Sequence, residues 1–138
     1  MQIANPWVPA ETVKEVCDAL RVPIFNLPAS KAVRNCAVLS FDGSSLSDAE
    51  MGDIIFTDGS RLRLRLIGSD APDASEMDRF GGVYGAALTA AEQRGNVTVY
   101  HFKYSDSTFA AWISGGVYYW YEPSDADDLE QMIALLLS

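Results

Sequence analysis

The sequence predicts an α+β domain, an antiparallel sheet of about six strands with three helices in the order α-βββ-α-βββ-α. Arginine and leucine alternate strictly over 61–66, directly after the turn pair Asp58-Gly59, and this period of two is typical of a half-buried antiparallel strand. The pair Gly115-Gly116 lies between aromatic segments and favours a tight hairpin turn. Since 138 residues suit one core, the prediction assigns residues 1–138 to a single domain.

The first helix is predicted over about 9–20. Pro9 suits a first helical position, Glu11 suits the first turn, and apolar residues follow at helical spacing. A strand is expected over about 37–41. It ends where a polar loop begins.

The next two strands form a hairpin over about 53–67. Its register is open between two alternatives. A two-residue turn places Phe56 opposite Arg61, whereas a three-residue loop pairs Phe56 with Leu62. We favour the second because it keeps the apolar residues together.

A second helix is predicted from about Ser75 to Gly95, because apolar residues recur there at helical spacing and Gly95 suits a C-terminal stop. Gly81, Gly82 and Gly85 each cost about 1 kcal/mol relative to alanine in a helix interior. Close packing of this helix is therefore expected to compensate.

Three more strands and a third helix complete the prediction. The strands cover about 97–104, 108–113 and 117–121. The helix covers about 125–137, with Ser124 as its cap and several acidic residues near its positive end.

Composition limits the classes of function. The net charge is −9, from 19 acidic against 10 basic residues, so nucleic acid and anionic membranes are unfavourable partners. No basic leader or membrane-length apolar run is present in the sequence, and a cytoplasmic protein is expected. Cys17 and Cys36 lack metal or redox spacing and are interpreted as reduced core residues.

No motif predicts catalysis, a cofactor or a metal site. His101 is the single histidine, and although a relay with Cys36 or Ser107 is conceivable, no nucleophile elbow accompanies it. One histidine and two separated cysteines cannot build an ordinary zinc site. The glycines near Phe80 lack the context of a phosphate-binding loop.

Two sets of side chains are candidates for binding a protein partner. One is the arginine row Arg61, Arg63 and Arg65, which is either a solvated strand face or a site for acidic groups. The other is the aromatic set of the last hairpin, whose two faces are both apolar, so it forms either a core or a surface for a partner. Its members are Trp112, Tyr118, Trp120 and Tyr121.

Element order, size and acidity resemble the class I type III secretion chaperones, which are small acidic homodimers. The matching segments are Val13 to Pro23, Cys36 to Asp42, Arg61 to Gly68, Met77 to Gly95 and Asp125 to Leu137. The resemblance implies a non-catalytic homodimer that holds an extended segment of a partner protein.

Two other classes stay open. A dedicated inhibitor, such as an immunity protein or a phage anti-defence protein, would use its acidic surface against a basic target. A small-molecule-binding domain would need a cavity near Tyr84, Tyr100, His101 and Trp112.

Overall fold

The computed structural model describes residues 7–22, 32–39, 51–66, 86–104, 106–114 and 116–137. The chain divides into two units, residues 1–66 and 67–138, and each is described by itself. Whether the whole chain is one domain stays a prediction. No helix in the described ranges is long and apolar enough to cross a membrane.

The first unit contains four strands and one helix. Its elements are β1 (Trp7–Ala10), α1 (Val13–Leu20), β2 (Val33–Leu39), β3 (Met51–Phe56) and β4 (Arg61–Leu66). The strands pair in chain order, and every pair is antiparallel.

The second unit contains four strands followed by one helix. Its elements are β5 (Ala87–Arg94), β6 (Val97–Tyr104), β7 (Ser107–Ser114), β8 (Val117–Glu122) and α2 (Ala126–Leu137). Consecutive strands again pair antiparallel, as short connections require.

The predicted fold class is wrong in its element count. The described residues hold eight strands and two helices, whereas about six strands and three helices were expected. The antiparallel pairing was predicted correctly. The two errors in element type lie at residues 9–12 and 87–94.

The first error concerns the start of α1, which lies at Val13 and not at Pro9. Residues 7–10 pair with β2 as an edge strand, a position that tolerates proline because no ladder hydrogen bond from its nitrogen is needed. Thr12 is the N-cap, and its side chain accepts a hydrogen bond from the Glu15 backbone N–H at 3.2 Å. The spacing of Thr12 and Glu15 is that of a capping box, a signal present in the sequence.

The second error concerns the predicted helix from Ser75 to Gly95. Residues 75–85 lie outside the described ranges, but Ala87–Arg94 is a strand that pairs with β6. Gly95, expected to stop a helix, has a φ of +61° and begins a two-residue turn with Asn96. Glycine followed by asparagine is a hairpin signal. Hydrogen bonding to β6 overrides the helical propensity of the alanines in this segment.

The register of the first hairpin differs from both predicted alternatives. Ile55 lies opposite Arg61 and Ile54 opposite Leu62, because the three-residue loop is 57–59 and Phe56 N–H donates to the Ser60 carbonyl at 2.9 Å. The loop length was predicted correctly and its position was one residue off. The last hairpin has the predicted register, with Ile113 opposite Tyr118.

Helix α1 packs closely on β3 at Gly52. A Cβ atom at this position would lie 2.4 Å from Val16 Cγ1 and 2.9 Å from Leu20 Cδ1. Both helix side chains are buried, with exposures of 0% and 1%. Glycine is therefore required here by the approach of the helix, not by the backbone conformation.

We expect Gly52→Ala to lower the free energy of unfolding by about 1–3 kcal/mol, because the new methyl group overpacks the contact with Val16. Urea denaturation followed by circular dichroism measures this. The control is the double variant Gly52→Ala/Val16→Ala, which removes the atom that clashes. If the loss in free energy of unfolding of the double variant equals the sum of the losses of the two single variants, the contact with Val16 does not limit the size of residue 52.

Strands β6, β7 and β8 of the second unit have buried side chains on both faces, whereas no residue of β5 is buried. On one face lies a cluster of buried residues with exposures of at most 3%: Phe102, Phe109, Ala111, Tyr118 and Trp120. On the other face lie Trp112 and Tyr121, each fully buried. Helix α2 is tied to this second face because the Tyr121 hydroxyl donates to Asp128 Oδ2 at 2.5 Å.

Candidate functional site

The arginine face consists of the side chains of Arg61, Arg63 and Arg65 on β4. Between them, Leu62 and Leu64 are fully buried. Because successive strand residues point to opposite sides, the three arginines share the side turned away from this core. The sequence predicted this alternation, and the structure confirms it for Leu62 and Leu64, whereas Leu66, also expected to lie inward, is 43% exposed.

Asp53 lies beside the arginine face on β3, directly opposite Arg63 in the strand register. Its Oδ1 atom is 3.5 Å from Arg63 Nε and 3.4 Å from Arg61 Nε. The side chain of Arg61 is 37% exposed, against 17% for Arg63 and 15% for Asp53. One half-buried carboxylate is thus shared by two guanidinium groups at distances longer than those of strong charge-assisted hydrogen bonds.

A shallow concavity of about 370 Å³ extends from this pair across the first unit. Its apolar lining comes from Pro9, Ala37 and Ile55, and the Asn35 side chain adds an amide. The full lining is Pro9, Asn35, Cys36, Ala37, Asp53, Ile55, Arg61 and Arg63. A bound group would therefore meet apolar surface on one side and guanidinium groups on the other.

Among the described residues, this surface carries more basic than acidic side chains, whereas the chain as a whole is acidic. The arginine face and Asp53 together hold three positive charges and one negative, in a protein of net charge −9. Arginine offers planar, bidentate donors that match carboxylate geometry. The arrangement suits an anionic group held near an apolar surface.

The loop that joins β3 to β4 is held by Asp58. Its Oδ1 atom accepts hydrogen bonds from the Ser60 N–H at 2.9 Å and from the Ser60 hydroxyl at 2.5 Å. Ser60 is fully buried, and Gly59 has a φ of +90°. These contacts fix where β4 begins and so place Arg61 opposite Ile55.

The four aromatic candidates are buried, and Tyr118 and Trp120 belong to the cluster described above. Trp112, Tyr118 and Tyr121 are fully buried and Trp120 is 3% exposed. Trp112 stacks on Tyr119 with centroids 5.5 Å apart, and Trp120 contacts Phe109 at 5.0 Å. This placement agrees with the core alternative.

A second concavity, of about 400 Å³, lies beside His101. Thr89, Glu92 and Leu129 are among its lining residues, but Tyr100 and Trp112, which the small-molecule alternative needed, are not. Tyr84 lies outside the described ranges. Within those ranges, no three histidine, cysteine or acidic side chains are grouped so that they could hold a metal ion.

Both cysteines are buried and neither forms a disulfide, as expected for reduced core residues. Cys36 donates a hydrogen bond from Sγ to the Ala10 carbonyl at 3.4 Å. Burial, with a smaller effect of the Glu15 carboxylate, raises the pKa of the Cys36 thiol. A higher pKa lowers the fraction of nucleophilic thiolate at neutral pH.

Sequence reasoning missed the apolar part of the site. Pro9 was assigned to a helix, and Asn35, Ala37 and Ile55 were not considered. If Asp53 had been assigned to the same side of the sheet as the arginines, alternation along β3 would have placed Ile55 on that side. Alternation along β2 could likewise have placed Ala37 there. Pro9 joins them only because β1 pairs with β2.

Comparison with known proteins yields no family assignment. No protein-family model, no curated protein and no solved structure matches the chain. The resemblance to the class I chaperones stays a prediction, and residues 87–94 differ from the helix that this resemblance implied. The geometry of the arginine face is thus the main evidence on function.

Proposed function

We propose that this chain is a non-catalytic protein-binding module whose arginine face holds an acidic segment of a partner protein. The observation that supports the proposal is the pair Arg61 and Arg63, which share Asp53 at the edge of a partly apolar concavity. Polypeptide segments combine carboxylates with apolar side chains, and both find matching groups on this surface.

Charge and geometry favour this kind of ligand. Arg63 is 17% exposed, so its charge is less screened than that of a fully exposed arginine. The acidic remainder of the protein repels anions in general, so binding requires short-range contacts with the arginines in addition to charge. A partner segment that also covers Ile55 and Ala37 would supply them.

We expect the double variant Arg61→Gln/Arg63→Gln to bind an acidic peptide about 30-fold more weakly than the parent protein. Two charge-assisted contacts between the peptide and the arginines are lost. The binding free energy of each contact is moderate, because the arginine side chains are partly exposed to solvent. Fluorescence anisotropy with a labelled peptide of glutamate, valine and serine measures the Kd. Because both substitutions leave the Asp53 carboxylate, which is 15% exposed, without these two cations, the melting temperature should also fall, so binding is measured at a temperature where both proteins are folded.

The matched control is Lys14→Gln/Lys103→Gln. Both lysines are exposed, lie outside the arginine face, and change the net charge by the same amount. Equal weakening in the two double variants would show that only overall charge matters. Absence of measurable binding by the parent protein would contradict the proposal itself.

The net charge of −9 supports a second candidate, a dedicated inhibitor that meets a basic target with its acidic surface. That class predicts rapid association that slows steeply as salt is added. It also predicts that Arg61→Gln/Arg63→Gln leaves target binding unchanged, because the arginines would lie outside the interface.

A further inference from the structure

We propose that the partner segment crosses the strands of the first unit, with one acidic side chain on Arg61 and apolar side chains that lie toward β1. This inference rests on the proposed function and specifies the sequence that the same site accepts. It follows from the different surroundings of Arg61 and Arg63 and from the position of the apolar lining of the concavity.

Arg61 is better placed than Arg63 to meet a ligand carboxylate. Arg63 lies directly opposite Asp53, donates a hydrogen bond to its Oδ1 atom at 3.5 Å, and has a side chain that is 17% exposed. Arg61 lies opposite Ile55, and its side chain is 37% exposed. A ligand that binds at Arg61 therefore leaves the contact between Arg63 and Asp53 in place.

Asp53 limits the number of acidic groups that the ligand can bring to this end of the concavity. Its Oδ1 atom is 3.4 Å from Arg61 Nε and 3.5 Å from Arg63 Nε, so a negative charge already lies between the two cations. This charge repels a second ligand carboxylate that approaches Arg63. A segment with a single acidic residue is therefore favoured over one with several.

The apolar lining leads away from Arg61 across the strands. Ile55 lies on β3 opposite Arg61, while Ala37 on β2 and Pro9 on β1 lie opposite each other, and all of them line the concavity. A segment that ran along β4 would leave this lining uncovered. The ligand is thus expected to cross from β4 toward β1.

The distance across the strands sets the spacing of the ligand residues. Neighbouring strands are about 4.8 Å apart, so β1 lies about 14 Å from β4, and an extended segment covers about 13.6 Å in four residues. Alternate residues of such a segment point to the same side. An acidic residue on Arg61 therefore places the side chains two and four positions later over the apolar lining.

The test uses three nine-residue peptides with both ends capped, so that glutamate carries the only charge. In the first, the single glutamate is followed by valine two and four residues later. The second has the same composition, but its valines follow one and three residues later and point to the side opposite the glutamate. The third has three glutamates at alternate positions and no valine. Serine and threonine fill the other positions.

Titration of the ¹⁵N-labelled protein, followed by heteronuclear NMR, gives the Kd of each peptide and the residues whose signals shift. We expect the first peptide to bind about fivefold more tightly than the second, as burial of about 40 Å² of valine surface predicts. It should also bind more tightly than the third. The amide signals of Ile55 and Ala37 should shift more with the first peptide than with the second.

Single substitutions separate the roles of the two arginines. For the first peptide, we expect Arg61→Gln to weaken binding about tenfold and Arg63→Gln only about threefold, because Asp53 already neutralises part of the charge of Arg63. Lys103→Gln makes the same change in charge at an exposed residue outside the site and should leave the Kd unchanged. All variants are measured at a temperature where they are folded.

Equal Kd values for the first two peptides, together with weakening by Arg61→Gln, would overturn the crossing direction and retain the proposed function. Tightest binding of the third peptide would indicate a segment that runs along β4 and would contradict this inference. Equal weakening by Arg61→Gln and Arg63→Gln would overturn the assignment of the carboxylate to Arg61. If the parent protein binds none of the peptides, or if neither arginine variant changes binding, the proposed function fails as well.

Discussion

Replacing Trp112 with alanine is expected to lower the free energy of unfolding by about 3–5 kcal/mol, the largest effect we expect from a single substitution. The ring is fully buried and stacks on Tyr119 at 5.5 Å with 17° between the planes. Its removal loses the transfer energy of a large apolar group and leaves a cavity. Urea denaturation followed by far-UV circular dichroism measures the loss without relying on tryptophan fluorescence.

Trp112→Phe is the matched variant. The buried indole Nε1 has no hydrogen-bond partner within the described ranges, so phenylalanine removes a donor whose burial is unfavourable as well as some volume. We therefore expect a loss of about 1–2 kcal/mol, well below that of alanine. If Trp112→Ala retained full stability and lost only peptide binding, the ring would be a partner contact and the assignment to the core would be wrong.

Replacing Asp128 with alanine is expected to lower the free energy of unfolding by about 2–4 kcal/mol, the second largest effect. The residue is 8% exposed, and its Oδ2 atom accepts hydrogen bonds from the Tyr121 hydroxyl at 2.5 Å and from the Ser124 N–H at 2.9 Å. Without it, both donors lose a charged acceptor, and α2 loses a contact with β8. Chemical denaturation by urea measures the change.

A double-mutant cycle with Tyr121→Phe separates the two hydrogen bonds. The single variant Tyr121→Phe should cost about 1–2 kcal/mol, and Asp128→Ala should cost more because it also releases the Ser124 N–H. The coupling energy between the two changes should be about 1 kcal/mol. A coupling energy near zero would mean that the hydroxyl does not stabilise the native position of α2.

The predicted N-cap of α2 is one residue away from the side chain that accepts the capping hydrogen bond in the structure. Ser124 was predicted as the cap, but the Asp125 side chain accepts a hydrogen bond from the Asp128 N–H at 2.7 Å. The Asp128 carboxylate in turn accepts one from Ser124 N–H. The chain offers several capping side chains in succession, and only the position of Tyr121 selects which carboxylate is buried.

The sequence by itself determined the features that depend on neighbouring residues. Alternation of arginine and leucine placed Arg61, Arg63 and Arg65 on one side of β4, and the glycine pair set the register of the last hairpin. Helical spacing after Asp125 predicted α2. These inferences succeeded because side-chain direction and tight turns follow from a few consecutive residues.

Only the tertiary structure decided the features that depend on distant partners. Residues 87–94 have helical spacing, yet they are a strand because β6 supplies hydrogen bonds across the Gly95 turn. The pattern of Trp112 and its neighbours fitted both a core and a partner surface, and only the tertiary structure shows that these rings are buried. The concavity beside Arg61 needed β1 to pair with β2. In each case, the deciding energy comes from contacts between residues far apart in the chain, which local periodicity does not report.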